Sequence, residues 1–258
     1  MKNIEKSNNK SIQNLRIKVT SPHYDDIGEV LNQLGIIYNS YDGNLNCDIL
    51  FLNCGTNDTI NHPQLKTFVE NGGILYASDQ TSSHLISTWP ELMTVTNSTS
   101  ACKIRANIVD KDLRKYLGDS IEVEFDLVCW SKILKTNQGR VLMQSAEEGF
   151  PIMMEFTFGK GKVFYTSFHN HAQTSEMEKN LLQLLVIKQI SVATDLDFQK
   201  TMDIMSVSMK PSGAVATEVS KPQTDVSSSI IAKWRKKDGC QTLTTEEIAD
   251  NIKSKWRK

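Results

Sequence analysis

The sequence predicts an α/β fold: a mostly parallel sheet with helices on both faces, an antiparallel β insertion, and a flexible C-terminal tail. Three observations predict it. Short apolar runs closed by Gly, Asp or Ser alternate with amphipathic segments over roughly the first 90 residues. Strand-like segments then follow in quick succession, separated by turn residues, over about 101–158. Residues 200–229 are rich in Ser, Thr, Val and Lys, contain two prolines and show no periodicity.

Taken in order, residues 1–14 read as a disordered leader and Leu15–Thr20 as a first strand. Pro22 punctuates the next loop, and an Asp of the pair Asp25-Asp26 caps a helix carrying Val30, Leu31 and Leu34. Gly35 stops that helix. Ile36–Tyr41 and Asp48–Asn53 are the next strands. Pro63–Glu70 puts Leu65, Phe68 and Val69 on one helical face and ends at Asn71-Gly72-Gly73. Ile74–Ala77 is a strand and Thr81–Thr88 a short helix. The insertion holds Lys103–Val109, a helix at Lys111–Leu117, then Ile121–Phe125, Val128–Leu134, Arg140–Gln144 and Pro151–Phe156. The Gly159-Lys-Gly161 turn leads back through Val163–Phe168, and residues 176–190 form an apolar-faced helix. This gives a domain over 15–193, a linker over 194–229 and a basic tail over 230–258. In that tail Thr244-Thr-Glu-Glu247 has capping-box spacing.

Bulk properties narrow the function classes. The 258 residues are 39% hydrophobic and 23% charged, the balance of a soluble globular chain. A net charge of −1 argues against global attraction to nucleic acid. No apolar run approaches the roughly 18 residues needed to span a bilayer. The polar N-terminus lacks the apolar core of a secretory signal. Five scattered cysteines without a CxxC pair fit reduced thiols and a cytoplasmic location. Charge is uneven: residues 231–258 hold eight Lys/Arg against four Asp/Glu, so the rest of the chain carries −5.

Candidate functional residues collect at strand ends, where open α/β sheets bind ligands. The segment Gly161–Phe168 ends in His169-Asn170-His171. The strand Ile74–Ala77 ends in Ser78-Asp79, where a nucleophile would sit. Asp48–Asn53 ends in Cys54-Gly55-Thr56, whose glycine could offer a backbone N–H. His23 follows the first strand.

The order of these segments resembles the class I glutamine amidotransferase-like superfamily, and most of all its ThuA-like branch. The resemblance rests on Asp48–Thr56, Leu65–Asp79 and Phe156–His171 and spans roughly residues 15–190. It implies a nucleophile position at Ser78, a histidine at Phe168-His169, an oxyanion-loop glycine at Gly55, and an acidic third member where this chain has His171. Beside that implication stands the chemistry of the residues. A serine needs a base, the base an orienting group, and the oxyanion preset N–H donors. No orienting carboxylate is evident, and Tyr76 and Gln80 are bulky where a strained nucleophile turn favours tiny residues. For Cys54, nothing near it in sequence would lower its thiol pKa.

The leading expectation is therefore a non-catalytic binding or scaffold protein, a pseudoenzyme with Cys54, Gly55, Asp79, Asn170, His171 and His23 around a ligand pocket. The rival is an amide or ester hydrolase using Ser78 and His169. No cofactor is expected. His169 and His171, with His23 and Asp79, could be weighed as zinc ligands, but no spacing motif supports them and no metal is expected. The resemblance extends to bacterial proteins that accompany von Willebrand factor A-type and ATPase modules, so it implies a protein partner. Lys233-Trp-Arg-Lys236 and Lys255-Trp-Arg-Lys258 make the tail the expected docking element.

Overall fold

The computed structural model describes residues 11–212. Its main sheet has nine strands: β1 (Ile17–Val19), β2 (Asn39–Ser40), β3 (Ile49–Leu52), β4 (Ile74–Ser78), β6 (Cys102–Ile108), β7 (Ser120–Phe125), β9 (Arg140–Ser145), β10 (Pro151–Phe158) and β11 (Gly161–Thr166). The order is β2-β1-β3-β4-β11-β10-β9-β6-β7. The first five strands are mutually parallel; β10, β9, β6 and β7 extend the same sheet with antiparallel pairing. The expected insertion is thus a continuation of the sheet rather than a separate layer. Two further strands, β5 (Met93–Asn97) and β8 (Ser131–Thr136), form a small ribbon of their own.

Strand alternation explains why the central strands read as unbroken apolar runs. In β3, Ile49 and Phe51 enter one core while Leu50 and Leu52 enter the other. In β4, Ile74 and Tyr76 point to the first and Leu75 and Ala77 to the second. Successive side chains point to opposite faces, so a strand covered on both sides cannot carry polar residues at either parity. Helices α1 (Ile27–Gln33), α4 (Lys111–Leu117), α5 (Glu176–Thr194) and α6 (Phe198–Ile204) contribute to the first core. Helices α2 (His62–Glu70) and α3 (Ser82–Thr88) contribute to the second.

Helix α5 is the central support. Leu181, Leu182, Leu184, Leu185, Val186, Ile187 and Ile190 are all buried, because α1, α4 and α6 surround a helix that also rests on the sheet. Ser175 starts it with a full capping box to Glu178, which satisfies otherwise orphan N–H groups. It is the only described helix of 18 residues or more, and no helix among the described residues is long and apolar enough to cross a membrane.

Four expectations are corrected. The linker does not begin at 194: Asp195, left-handed at φ 53°, turns the chain into α6, which buries Phe198, Thr201 and Met202. Residues 12–14, assigned to the leader, make a 3-10 turn capped by Ser11. The strand expected over Ile36–Tyr41 shrinks to Asn39–Ser40, and β5 was not foreseen. Cys129 is disulfide-bonded, contrary to five reduced thiols; Cys47, Cys54 and Cys102 are free. The basic tail, and the leader up to residue 10, lie outside the described residues.

Candidate functional site at the strand tips

The C-terminal ends of β1, β3, β4 and β11 converge on one buried polar cluster. Its frame is set by Asn53, whose backbone and side chain bond Thr20 and whose Oδ1 accepts the Ile27 N–H. That ties the end of β3 to the loop after β1 and to the start of α1. Gly55 follows with φ 72°, and a Cβ there would sit 2.3 Å from Tyr24 Cδ2 and 2.8 Å from His23 Nδ1. Glycine is therefore needed to let the His23-Tyr24 segment close over this loop.

The sharp turn after β4 is made by Asp79, at φ 44°, and not by Ser78, which is extended. Asp is among the residues that tolerate this region through local polar contacts. Asp79 Oδ1 accepts the Ser131 N–H at 2.6 Å, and the Tyr165 hydroxyl donates to the Asp79 carbonyl at 2.9 Å. Asp79 Oδ2 lies 3.8 Å from Cys54 Sγ and 2.9 Å from His169 Nε2. Ser78 Oγ accepts the Cys54 N–H at 3.1 Å, which ties it to the loop after β3, and its side chain also bonds Asp25.

His169 is 3% exposed and lies between two carboxylates. Its Nδ1 pairs with Asp126 Oδ1 at 2.9 Å. Asp126 follows β7, in the antiparallel half. The orienting carboxylate that the sequence lacks at position 171 is therefore present, supplied from 43 residues upstream. On the other side, Nε2 approaches Asp79 Oδ2 closely but outside hydrogen-bond geometry, which leaves Nε2 buried without a hydrogen bond. His171 is part-exposed; it stacks on His169 and pairs with Asp126 Oδ2 at 3.2 Å.

Asn170 closes the cluster from below. Its backbone N–H donates to Asp25 Oδ1 at 2.7 Å, its amide donates to Asp25 Oδ2, and its Oδ1 accepts the Tyr76 hydroxyl. The bulky Tyr76, which argued against a strained nucleophile turn, thus points into the core as a hydrogen-bond donor.

Electrostatics follow from burial and pairing. Burial raises the Asp25 carboxyl, with the two histidines only partly opposing it. Burial pushes the Cys54 thiol up to about 11. Burial alone would pull His169 down, but the Cys54 sulfur and the carboxylates of Asp126 and Asp79 outweigh it and hold the imidazole well above its usual value. Asp126 is raised by burial and lowered more strongly by both histidines, ending below the usual carboxylate range.

Of the residues singled out from sequence, Cys54, Gly55, Ser78, Asp79, His169, Asn170, His171 and His23 all stand at this edge. Sequence reasoning missed Asp25 and Asp126. Asp25 was read only as a possible helix cap, and Asp126 lies in the insertion with no motif around it. A cavity of about 950 Å³ lies elsewhere, at the opposite edge beside Arg16, Asn44, Asp48, Thr67 and Asn71. Beside the cluster is a hollow of about 110 Å³, next to His171 and Asp26.

No protein-family model and no curated protein matches the chain. Among solved structures it is similar to a ThuA-like protein from Bacteroides uniformis, 11% identical over 71% of this chain and 92% of that one, with a TM-score of 0.48. A glutamine amidotransferase from Thermotoga maritima is 11% identical over 74% and 90%, with a TM-score of 0.43. A β-galactosidase from Bacillus circulans sp. alkalophilus is 11% identical with a TM-score of 0.47, and the chain spans only 31% of its length. The likeness is one of fold.

Proposed function

We propose that the chain is a non-catalytic binding or scaffold protein on an amidotransferase-like fold, acting through protein partners. One observation supports this most. The side chain at the left-handed turn is Asp79, whose two oxygens face Ser131, Cys54 and His169 and which is 2% exposed. A carboxylate can act as a nucleophile, but only toward a substrate that reaches it. Ser78 and Cys54 are equally enclosed, at 0% exposure. A triad needs its nucleophile within hydrogen-bond reach of the base and open to substrate, and this cluster meets the second condition nowhere. The Trp-containing basic segments at 233–236 and 255–258 remain the proposed docking elements.

The test is chemical. The folded protein is treated with a fluorophosphonate and, separately, with iodoacetamide, beside Ser78→Ala and Cys54→Ser. Wild type should label no faster than the variants at those positions. Rapid labelling that disappears in either variant would establish a reactive nucleophile and favour the amide or ester hydrolase.

A further inference from the structure

The strand-tip cluster contains the donor set of a metal site. The ligand atoms of Cys54, Asp79 and His169 all lie within 4.8 Å of one another, and all three residues are buried. The measured separations are 3.8 Å from Cys54 Sγ to Asp79 Oδ2 and 2.9 Å from that oxygen to His169 Nε2. A tetrahedral zinc with bonds of about 2.0–2.3 Å separates its ligands by about 3.3–3.6 Å. The observed pair of distances brackets that range, so rotamer adjustments of a few tenths of an ångström would seat the ion.

A second, independent observation points inward. His169 Nε2 is a buried polar atom with no hydrogen bond. Its neighbour Asp79 Oδ2, 2.9 Å away, is an ion-pair contact off the bond axis, and a buried polar atom without a directed hydrogen bond leaves room for a better-placed partner. Its other nitrogen is held by Asp126. That is the arrangement by which a carboxylate fixes the tautomer of a metal-binding imidazole. Charge agrees: among the described residues neither Asp25 nor Asp79 has a Lys or Arg within ion-pair distance. The alternative trio Asp126, His169 and His171 uses Nδ1, which is already committed, and includes a part-exposed ring.

We propose that Cys54 Sγ, Asp79 Oδ2 and His169 Nε2 bind one divalent, borderline-soft cation, zinc by donor chemistry. The thiol proton and the His169 Nε2 proton both leave to solvent as the metal–sulfur and metal–nitrogen bonds form, and thiolate plus carboxylate then balance the charge of the ion. A water molecule takes the fourth position. The ion clamps β3, β4 and the loop after β11. This inference is independent of the proposed function, since a closed site needs no substrate.

The experiment is refolding of the full chain with Co²⁺ alone, because the closed site admits metal most readily before it forms. One Co²⁺ per chain should bind, with a sulfur-to-cobalt charge-transfer band. Cys54→Ser should lose the band, whereas Cys47→Ser, which removes a different buried thiol, should keep it. Asp126→Asn should retain the band but weaken affinity by about 10- to 100-fold. If wild type folds without binding Co²⁺, or if Cys54→Ser folds and keeps the band, the assignment is wrong. His169 is then an imidazolium held between two carboxylates. If Cys54→Ser fails to fold, the Asp126→Asn affinity decides: an unchanged value overturns the site.

Discussion

Two buried polar clusters among the described residues are balanced in different ways. In the antiparallel half, Asp110 meets Lys188 at 3.1 Å and Arg140 at 2.8 Å, and Glu155 meets Arg140 at 3.0 Å and Lys162 at 2.6 Å. There, permanent cations face each acid. At the strand tips, Asp79 and Asp126 face imidazoles, and Asp25 faces the amide and backbone of Asn170 with His171 Nδ1 4.0 Å away. The pKa directions follow the neighbours, not the cluster: Asp126, between two imidazoles, ends below the usual range like the acids of the first cluster. Asp110 and Glu155 end below their usual values despite burial, because Lys188, Lys162 and Arg140 outweigh it, whereas Asp25 ends above. The lesson is that burial alone decides neither sign; the charge type of the neighbour does. The first cluster is self-sufficient, and the second is arranged as though for something further.

The largest effect is expected at Asp110. It caps α4 through the N–H groups of Asp112 and Leu113 and also holds Lys188, which is nearly fully buried. Asp110→Ala should cost about 3–5 kcal/mol, because a buried lysine loses its principal partner. Urea denaturation measures it. A loss below about 1 kcal/mol would mean that Asp112, 3.0 Å from Lys188, substitutes fully.

Acid should act next, and on the same cluster. Asp110 and Glu155 bind protons less readily folded than unfolded. Their contribution is complete above the unfolded carboxylate pKa, about 4, and is lost as pH falls through the lower folded values. The urea midpoint should hold from pH 7 to about 5 and then fall. In Asp110→Ala the fall should be shallower. Identical slopes in both proteins would locate the acid sensitivity elsewhere.

The smallest effect should come from Asp25→Asn. The folded pKa of Asp25 is raised, so its ionisation weakens the fold as pH rises through that value. A neutral amide removes this cost while losing part of the Asn170 pairing, and the two offset. Stability at pH 7 should stay within about 1 kcal/mol of wild type. A much larger loss would show that the carboxylate charge is required at the strand tips, and the contrast between the clusters would disappear.

The fold was largely legible in the sequence. The runs 49–52, 74–77 and 163–165 are apolar at both parities, and only strands covered on both faces require that. Strand β5 was hidden because Thr94 and Thr96 are exposed, Met93 alone is buried, and among the described residues its partner is β8. At the site, the strand ends were visible but the turn was off by one residue. Ser and Asp both suit such a turn, and a positive φ leaves no compositional mark unless glycine provides it. Asp126 was invisible for a different reason. Its role arises from the way β7 returns along the sheet, a long-range fact that no local pattern encodes.

The Asn170 bond to Asp25 spans 145 positions of chain. It joins the loop after the first strand to the loop after the last. Forming it requires closure of nearly the whole domain, and with it the loop entropy that slows distant pairings. Its amide proton exchanges with solvent when those two loops separate. One hydrogen at the strand tips therefore reports how often the two ends of the domain let go of each other.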